Sequence, residues 1–172
     1  MKMYDPAEIL QAANDVVALA CERIPADSPN RGGYLTVLTP DGGLLVSARI
    51  GEFPVESCQQ FFDMSLDQAI KLHNRPSGVC SRRTRNPNKG RFEGAVRLED
   101  NYVYSFFGLP EKWNEACAIV LASHFLEEKA SSINLQRILS ISNNELADIL
   151  MLKYARHLEA KLRKRAVKSI FA

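Results

Sequence analysis

Residues 34–50, YLTVLTPDGGLLVSARI, decide the fold. Two aliphatic, β-rich runs flank Pro40-Asp41-Gly42-Gly43. The proline fixes one φ and the glycines accept positive φ, so the chain reverses tightly and the two runs pair as an antiparallel hairpin. Residues 33–39 and 44–50 are the expected strands. A second pair of short apolar runs, FEGAVRL (92–98) and NYVYSFFGL (101–109), is parted by Glu99-Asp100 and forms another hairpin in the same sheet.

Helical patterns surround the hairpins. In DPAEILQAANDVVALACERI (5–24), Asp5 is placed to cap a helix and Pro6 suits its first position. Ile9, Leu10, Ala13, Val16, Val17 and Ala20 then recur at helical spacing. In PVESCQQFFDMSLDQAIKLHNRP (54–76) the apolar stripe is Cys58, Phe61, Phe62, Leu66, Ala69 and Ile70, and Asn74-Arg75-Pro76 stops the helix. PEKWNEACAIVLASHFLEEKA (110–130) is a long helix opened by Pro110, with Glu111 at its positive end. In the tail, Ser142 and Glu145 have capping-box spacing and start one uninterrupted helix to about residue 168. Leu146, Ile149, Leu150, Leu152 and Leu158 are its apolar positions.

Helix, hairpin, helix, hairpin, helix is an α+β order: one antiparallel sheet with flanking helices, in the manner of profilin-, PAS- or GAF-like modules. Residues 1–130 would form this domain and 131–172 a basic C-terminal helical extension.

Composition sets the class. Hydrophobic residues make up 46% of the 172 and charged residues 24%, enough for a packed core. The net charge is only +2, so any nucleic-acid affinity has to come from local clustering. Cys21, Cys58, Cys80 and Cys117 are widely spaced, with no CxxC pair and no histidine at zinc-finger distance. The start, MKMYDPAEIL, lacks the apolar run of a signal peptide, and no stretch approaches the roughly 20 apolar residues that span a bilayer. A reduced, cytoplasmic protein with no membrane partner is the expectation.

The TVLTPDGGLLVSARI hairpin, ending near Arg49, resembles the pattern of the GlcG-like family, which includes haem-binding HbpS-like sensors and the C-terminal domain of PduO-type proteins. FEGAVRLEDNYVYSFFGLPEKWNEACA is similar to that family's second half. The resemblance implies a small-ligand pocket and, through a single histidine such as His73 or His124, haem handling. The chain departs from the family at the loop before the second hairpin, where Arg82-Arg83-Thr84-Arg85-Asn86-Pro87 stands in place of a glycine-rich apolar run. In the tail, SNNELADILML resembles the start of a LuxR-type helix-turn-helix, with His157 and Lys161-Leu162 echoing its recognition helix.

The candidate binding residues fall in three groups. Arg82, Arg83, Arg85, Lys89 and Arg91 carry the charge of the loop CSRRTRNPNKGR (80–91), whose arginine forks suit anions. Phe106, Phe107 and Trp113 are aromatics able to line a ligand slot. Arg156, Arg163, Lys164, Arg165 and Lys168 are the tail cations that would contact nucleic acid. No catalytic motif is present: there is no G-x-S-x-G, no H-E-x-x-H and no paired-carboxylate turn. Glu93, Glu99 and Asp100 are placed to cap or solvate turns. No metal or cofactor is expected from the residues themselves.

The leading functional expectation is therefore a non-catalytic sensor or regulatory module that binds a small ligand or a protein, as a homo-oligomer or with a partner. The alternatives are a DNA-binding regulator using the basic tail and a GlcG-like haem-handling protein.

Overall fold

The computed structural model describes residues 3–84, 86, 88, 93–127 and 132–170, leaving aside the side chains of 83, 84 and 167–170. Its order is α1 (Pro6–Cys21), β1 (Arg31–Leu38), β2 (Leu44–Glu52), α2 (Cys58–His73), β3 (Ala95–Arg97), β4 (Val103–Phe107), α3 (Glu111–His124), α4 (Ile133–Ser142) and α5 (Glu145–Ile170). The four strands form one sheet in the order β2-β1-β4-β3, antiparallel throughout. The fold is α+β, as its two hairpins require.

Local chemistry accounts for the first half. The Asp5 side chain accepts from Ala7 N at 2.8 Å and so caps α1. The turn between β1 and β2 closes where Thr39 N donates to Gly43 O at 2.8 Å, with Gly42 at φ +87°. Leu35 of β1 lies opposite Ala48 of β2 and Phe106 of β4, which fixes the register of the central strand.

Strand alternation gives the sheet two faces of different chemistry. Leu35, Val37, Val46, Ile50, Val96, Tyr104 and Phe106 join the main apolar core under α1 and α3. The opposite face carries Thr36, Leu38, Ala95, Val103 and Ser105 beneath α2. There α2 turns Phe61, Ser65, Gln68, Ala69 and Leu72 inward, while Ile70 is 44% exposed. The helix is rotated from the purely apolar stripe because this face of the sheet is partly polar. The Ser65 hydroxyl donates to Thr36 Oγ1 at 2.7 Å, and the Ser105 hydroxyl donates to Gln68 Oε1 at 3.4 Å. Past the end of α2 the buried Arg97 guanidinium donates to the carbonyl of His73, the last residue of the helix, and to those of Arg75, Pro76 and Gly78 in the loop that follows.

The second half differs from its sequence pattern in three places. Helix α3 stops at His124 rather than near 130, because Phe125 leaves the helix to pack on Tyr4 and Tyr104. An additional helix, α4, starts at Ser132, which accepts from Leu135 N at 3.0 Å. Ser142 ends α4 instead of starting α5. Asn143 takes a left-handed conformation (φ +43°), and Asn144 caps α5 by accepting from Leu146 N at 3.2 Å. From Glu145 to Ile170, α5 is unbroken, with no turn where the LuxR-type pattern would place one. Leu135, Ile138, Ala147, Leu150 and Tyr154 belong to the same core cluster as α1 and α3. No helix among the described residues is long and apolar enough to cross a membrane.

Two substitutions test this architecture. Gly108 has φ +142°, and an added Cβ would lie 2.5 Å from Gly33 Cα, where β4 leaves β1. Gly108→Ala is expected to cost about 2 kcal/mol or more of stability in urea unfolding. The second concerns Glu99, whose carboxylate accepts from the Ser132 hydroxyl and from Asn134 N, both at 2.7 Å. Burial alone would raise its pKa, but the Asn134 and Ser132 donors outweigh that and hold it below the ordinary value. A lowered folded-state pKa gives stability above the unfolded value that is lost as pH falls through the folded one. Glu99→Gln should therefore be less stable than the parent at pH 7, with the gap closing below about pH 4.3.

Candidate functional site

An open groove of about 600 Å³ lies between α1 and the end of α5, over the end of α3. Tyr4, Glu8, Gln11, Ala12 and Asp15 form one wall and Tyr154, Leu158, Lys161, Leu162 and Arg165 the other. His124, Phe125, Leu126 and Glu127 close its base. Helical spacing explains the α5 wall, since 154, 158, 161 and 165 share one face.

The groove has a continuous aromatic lining. Tyr4 and Phe125 have ring centroids 4.9 Å apart, Phe125 and His124 4.8 Å, and His124 and Tyr154 5.4 Å. His157 stacks beyond Tyr154 at 6.3 Å. Asp15 ties the walls together by accepting from Lys161 Nζ. His157 Nε2 sits 3.5 Å from Asp15 Oδ2, a contact at the long limit that closes no hydrogen bond. Burial, with Asp15 adding to it, pushes the Tyr154 phenol up to about 12. Burial and then Asp100 raise Tyr4, whose hydroxyl donates to Asp100 Oδ2 at 3.0 Å. Both phenols are held neutral, and both rings are buried in the main core, so they form the floor behind the half-buried His124 and Phe125.

Of the candidate binding residues taken from sequence, the groove contains Arg165; it also holds His124, Lys161 and Leu162, which the two resemblances had marked. Arg163 and Lys164 beside Arg165, and Arg156 a few turns back, are solvent-exposed. Phe106 and Phe107 point to opposite faces of the sheet. Phe106 joins Trp113 in the main core, whereas Phe107 packs edge-on against Phe61 at 5.6 Å under α2. The three aromatics therefore line no common slot. Arg85, Lys89 and Arg91 lie outside the described residues, as do the side chains of Arg83 and Lys168. His73 ends α2 beneath the Gly42 turn, far in sequence and on a different element from His124 and His157.

Arg82 occupies a second, smaller cleft of about 250 Å³ with Glu93, Glu111 and Lys112. Its guanidinium lies 3.4 Å from Glu93 Oε2 and 3.8 Å from Glu115 Oε2. Glu115 is fully buried; its Oε2 accepts from the Ser142 hydroxyl at 2.8 Å and from Asn144 Nδ2 at 3.2 Å. Asn144 also donates to Lys112 O at 2.8 Å, so this carboxylate fastens α3 to the junction of α4 and α5. Replacing one member of a buried polar network strands the others. Glu115→Ala is expected to lose about 2 kcal/mol or more in denaturant unfolding, and Glu115→Gln less, because the amide oxygen can still accept from Ser142.

No group of three or more histidine, cysteine, aspartate or glutamate side chains among the described residues is arranged to hold a metal ion. The chain matches no family model, no curated protein and no solved structure.

Proposed function

We propose that this protein is a small-ligand-binding regulatory module and that its ligand occupies the groove between α1 and α5. The observation that carries this reading is the aromatic lining: four rings, from the segment before α1, the end of α3 and α5, border one open cavity of about 600 Å³, the size range of small-molecule sites. A ligand with a flat apolar body would lie on Phe125, His124 and Tyr154, with Glu8, Lys161 and Arg165 meeting its polar groups at the mouth.

Binding rather than catalysis fits the groups present. Burial raises the Cys21 and Cys117 thiols, away from the thiolate that a nucleophile needs. The groove phenols are pushed up as well, and Asp15 is engaged by Lys161. The distribution of positive charge also favours this reading over nucleic-acid binding. Arg82 sits beside Asn144, just before α5, whereas Arg165 lies 20 residues further along that helix. At 1.5 Å per residue the two are about 30 Å apart, so Arg82 and the tail cations do not form one stripe.

The test uses anilinonaphthalene sulfonate, which joins an aromatic body to an anionic group. The folded protein should bind it saturably at one site. Gln11→Trp, which fills the α1 wall, and Leu162→Glu, at a position 64% exposed, should each weaken binding about tenfold while leaving the melting temperature unchanged. Binding that survives both substitutions would remove the groove as the site.

A further inference from the structure

The charges around the groove are sorted by wall. Both charged side chains on the α1 wall, Glu8 and Asp15, are acidic, and both on the α5 wall, Lys161 and Arg165, are basic; Glu127 stands at the base. Asp15 and Lys161 neutralise each other in the pair that ties the walls. Glu8 and Arg165 remain, both solvent-exposed and neither in an ion pair among the described residues.

The register of the two helices places these charges. Asp15 meets Lys161 and Glu22 meets Lys153, so α1 and α5 run antiparallel. Four residues past Lys161, Arg165 therefore stands opposite residue 11, and Glu8 lies nearly one helical turn, about 4.5 Å, beyond it. Packed helices stand about 8–10 Å apart, so the two side chains reach one head group from opposite sides. Between the walls the half-buried His124 and Phe125 offer ring surface.

Resting on the groove as the ligand site, we propose that its ligand is an aromatic zwitterion: a flat ring carrying an ammonium and a carboxylate on one carbon, as in an aromatic α-amino acid. The ring lies against Phe125 and His124, where aromatic contact adds to simple burial. The ammonium pairs with Glu8, and Glu127, whose field reaches the Tyr4 phenol, makes the same end more negative. The carboxylate takes the Arg165 guanidinium, whose planar fork fits two oxygens at once. A ligand with a single charge leaves either Glu8 or Arg165 unmatched, and a neutral one leaves both. The zwitterion also spans the walls without displacing Asp15 from Lys161.

Calorimetric titration with three indoles that differ only in charge tests this. They are tryptophan, tryptamine, which lacks the carboxylate, and indole-3-propionate, which lacks the ammonium. Tryptophan should bind about three- to fivefold more tightly than either, the range that an exposed charge pair gives. Glu8→Gln should bring tryptophan down to the level of indole-3-propionate, and Arg165→Gln down to that of tryptamine. Both residues are exposed, so both variants should keep the parent melting curve. Equal binding of the three indoles, or a preference that survives both substitutions, would overturn the zwitterion and leave the groove standing. So would failure of every indole to bind protein that takes anilinonaphthalene sulfonate in the groove. Sulfonate binding unmoved by Gln11→Trp and Leu162→Glu would instead remove the groove itself, and this inference with it.

Discussion

Helix α3 is buried on every side, and most of the structure follows from that. All of its residues from Trp113 to Ser123 are shielded from water, so it has no solvent face. The sheet covers one flank, through Tyr104 and Phe106, and α1 covers another. The outward flank has to be covered by something else, and among the described residues the tail covers most of it. Leu135, Ile138, Ala147, Leu150 and Tyr154 supply that cover, each apolar side chain contributing on the order of 1.5–3 kcal/mol when fully removed from water. Glu115 then becomes the critical point. A carboxylate in the middle of such a helix is tolerable only with donors at hand, and the tail brings Ser142 and Asn144 to it. The turn at Asn143 is therefore set by the requirements of α3 as much as by α4 and α5 themselves.

The two faces of the sheet divide the work of stability and specificity. Beneath α1 and α3 the packing is apolar and aromatic, which gives energy but little directional preference. Beneath α2 the apolar patch is small, limited to Leu38, Ala69, Leu72, Ala95 and Val103. Hydrogen bonds linking Thr36, Ser65, Gln68 and Ser105 fix how far α2 is turned and slid along the sheet. Arg97 completes that side by holding the carbonyls after α2, so the helix ends where β3 begins.

How much of this was legible in the sequence depends on how local each signal is. The Pro40–Gly43 reversal, the Asp5-Pro6 cap and the Glu99-Asp100 break are decided by neighbouring residues, and all three stand where the sequence put them. The rotation of α2 was hidden because Ser65 and Gln68 look like solvent residues until Thr36 and Ser105 are placed opposite them. Helix α4 was hidden because its anchor is Glu99, distant in sequence, and Ser142 imitates a cap while its hydroxyl serves Glu115. The groove was least legible of all. Tyr4, Asp15, His124 and Tyr154 come from separate segments, and only the spacing of Tyr154, Leu158, Lys161 and Arg165 could have marked one wall. Among the described basic residues that drew the eye in sequence, Arg82, Arg156, Arg163 and Lys164 lie off its lining, since a run of charge declares itself locally and a cavity does not.

Helix α1 borders both the sheet and the groove. Val16 and Val17 face the sheet with Val46 and Ile50 of β2, while Glu8, Ala12 and Asp15 face α5 across the groove. The other wall belongs to α5, which is held at its far end by Glu115 and Asn144 and near the groove by the ion pair between Asp15 and Lys161. That pair is the only ion pair among the described residues to join the two walls within the groove. A ligand that wedges the walls apart would have to break it, and a ligand that bridges them would reinforce it. Further along the same two helices the ion pair between Glu22 and Lys153 adds a second tie, so α1 and α5 are fastened by charge on both sides of Tyr154.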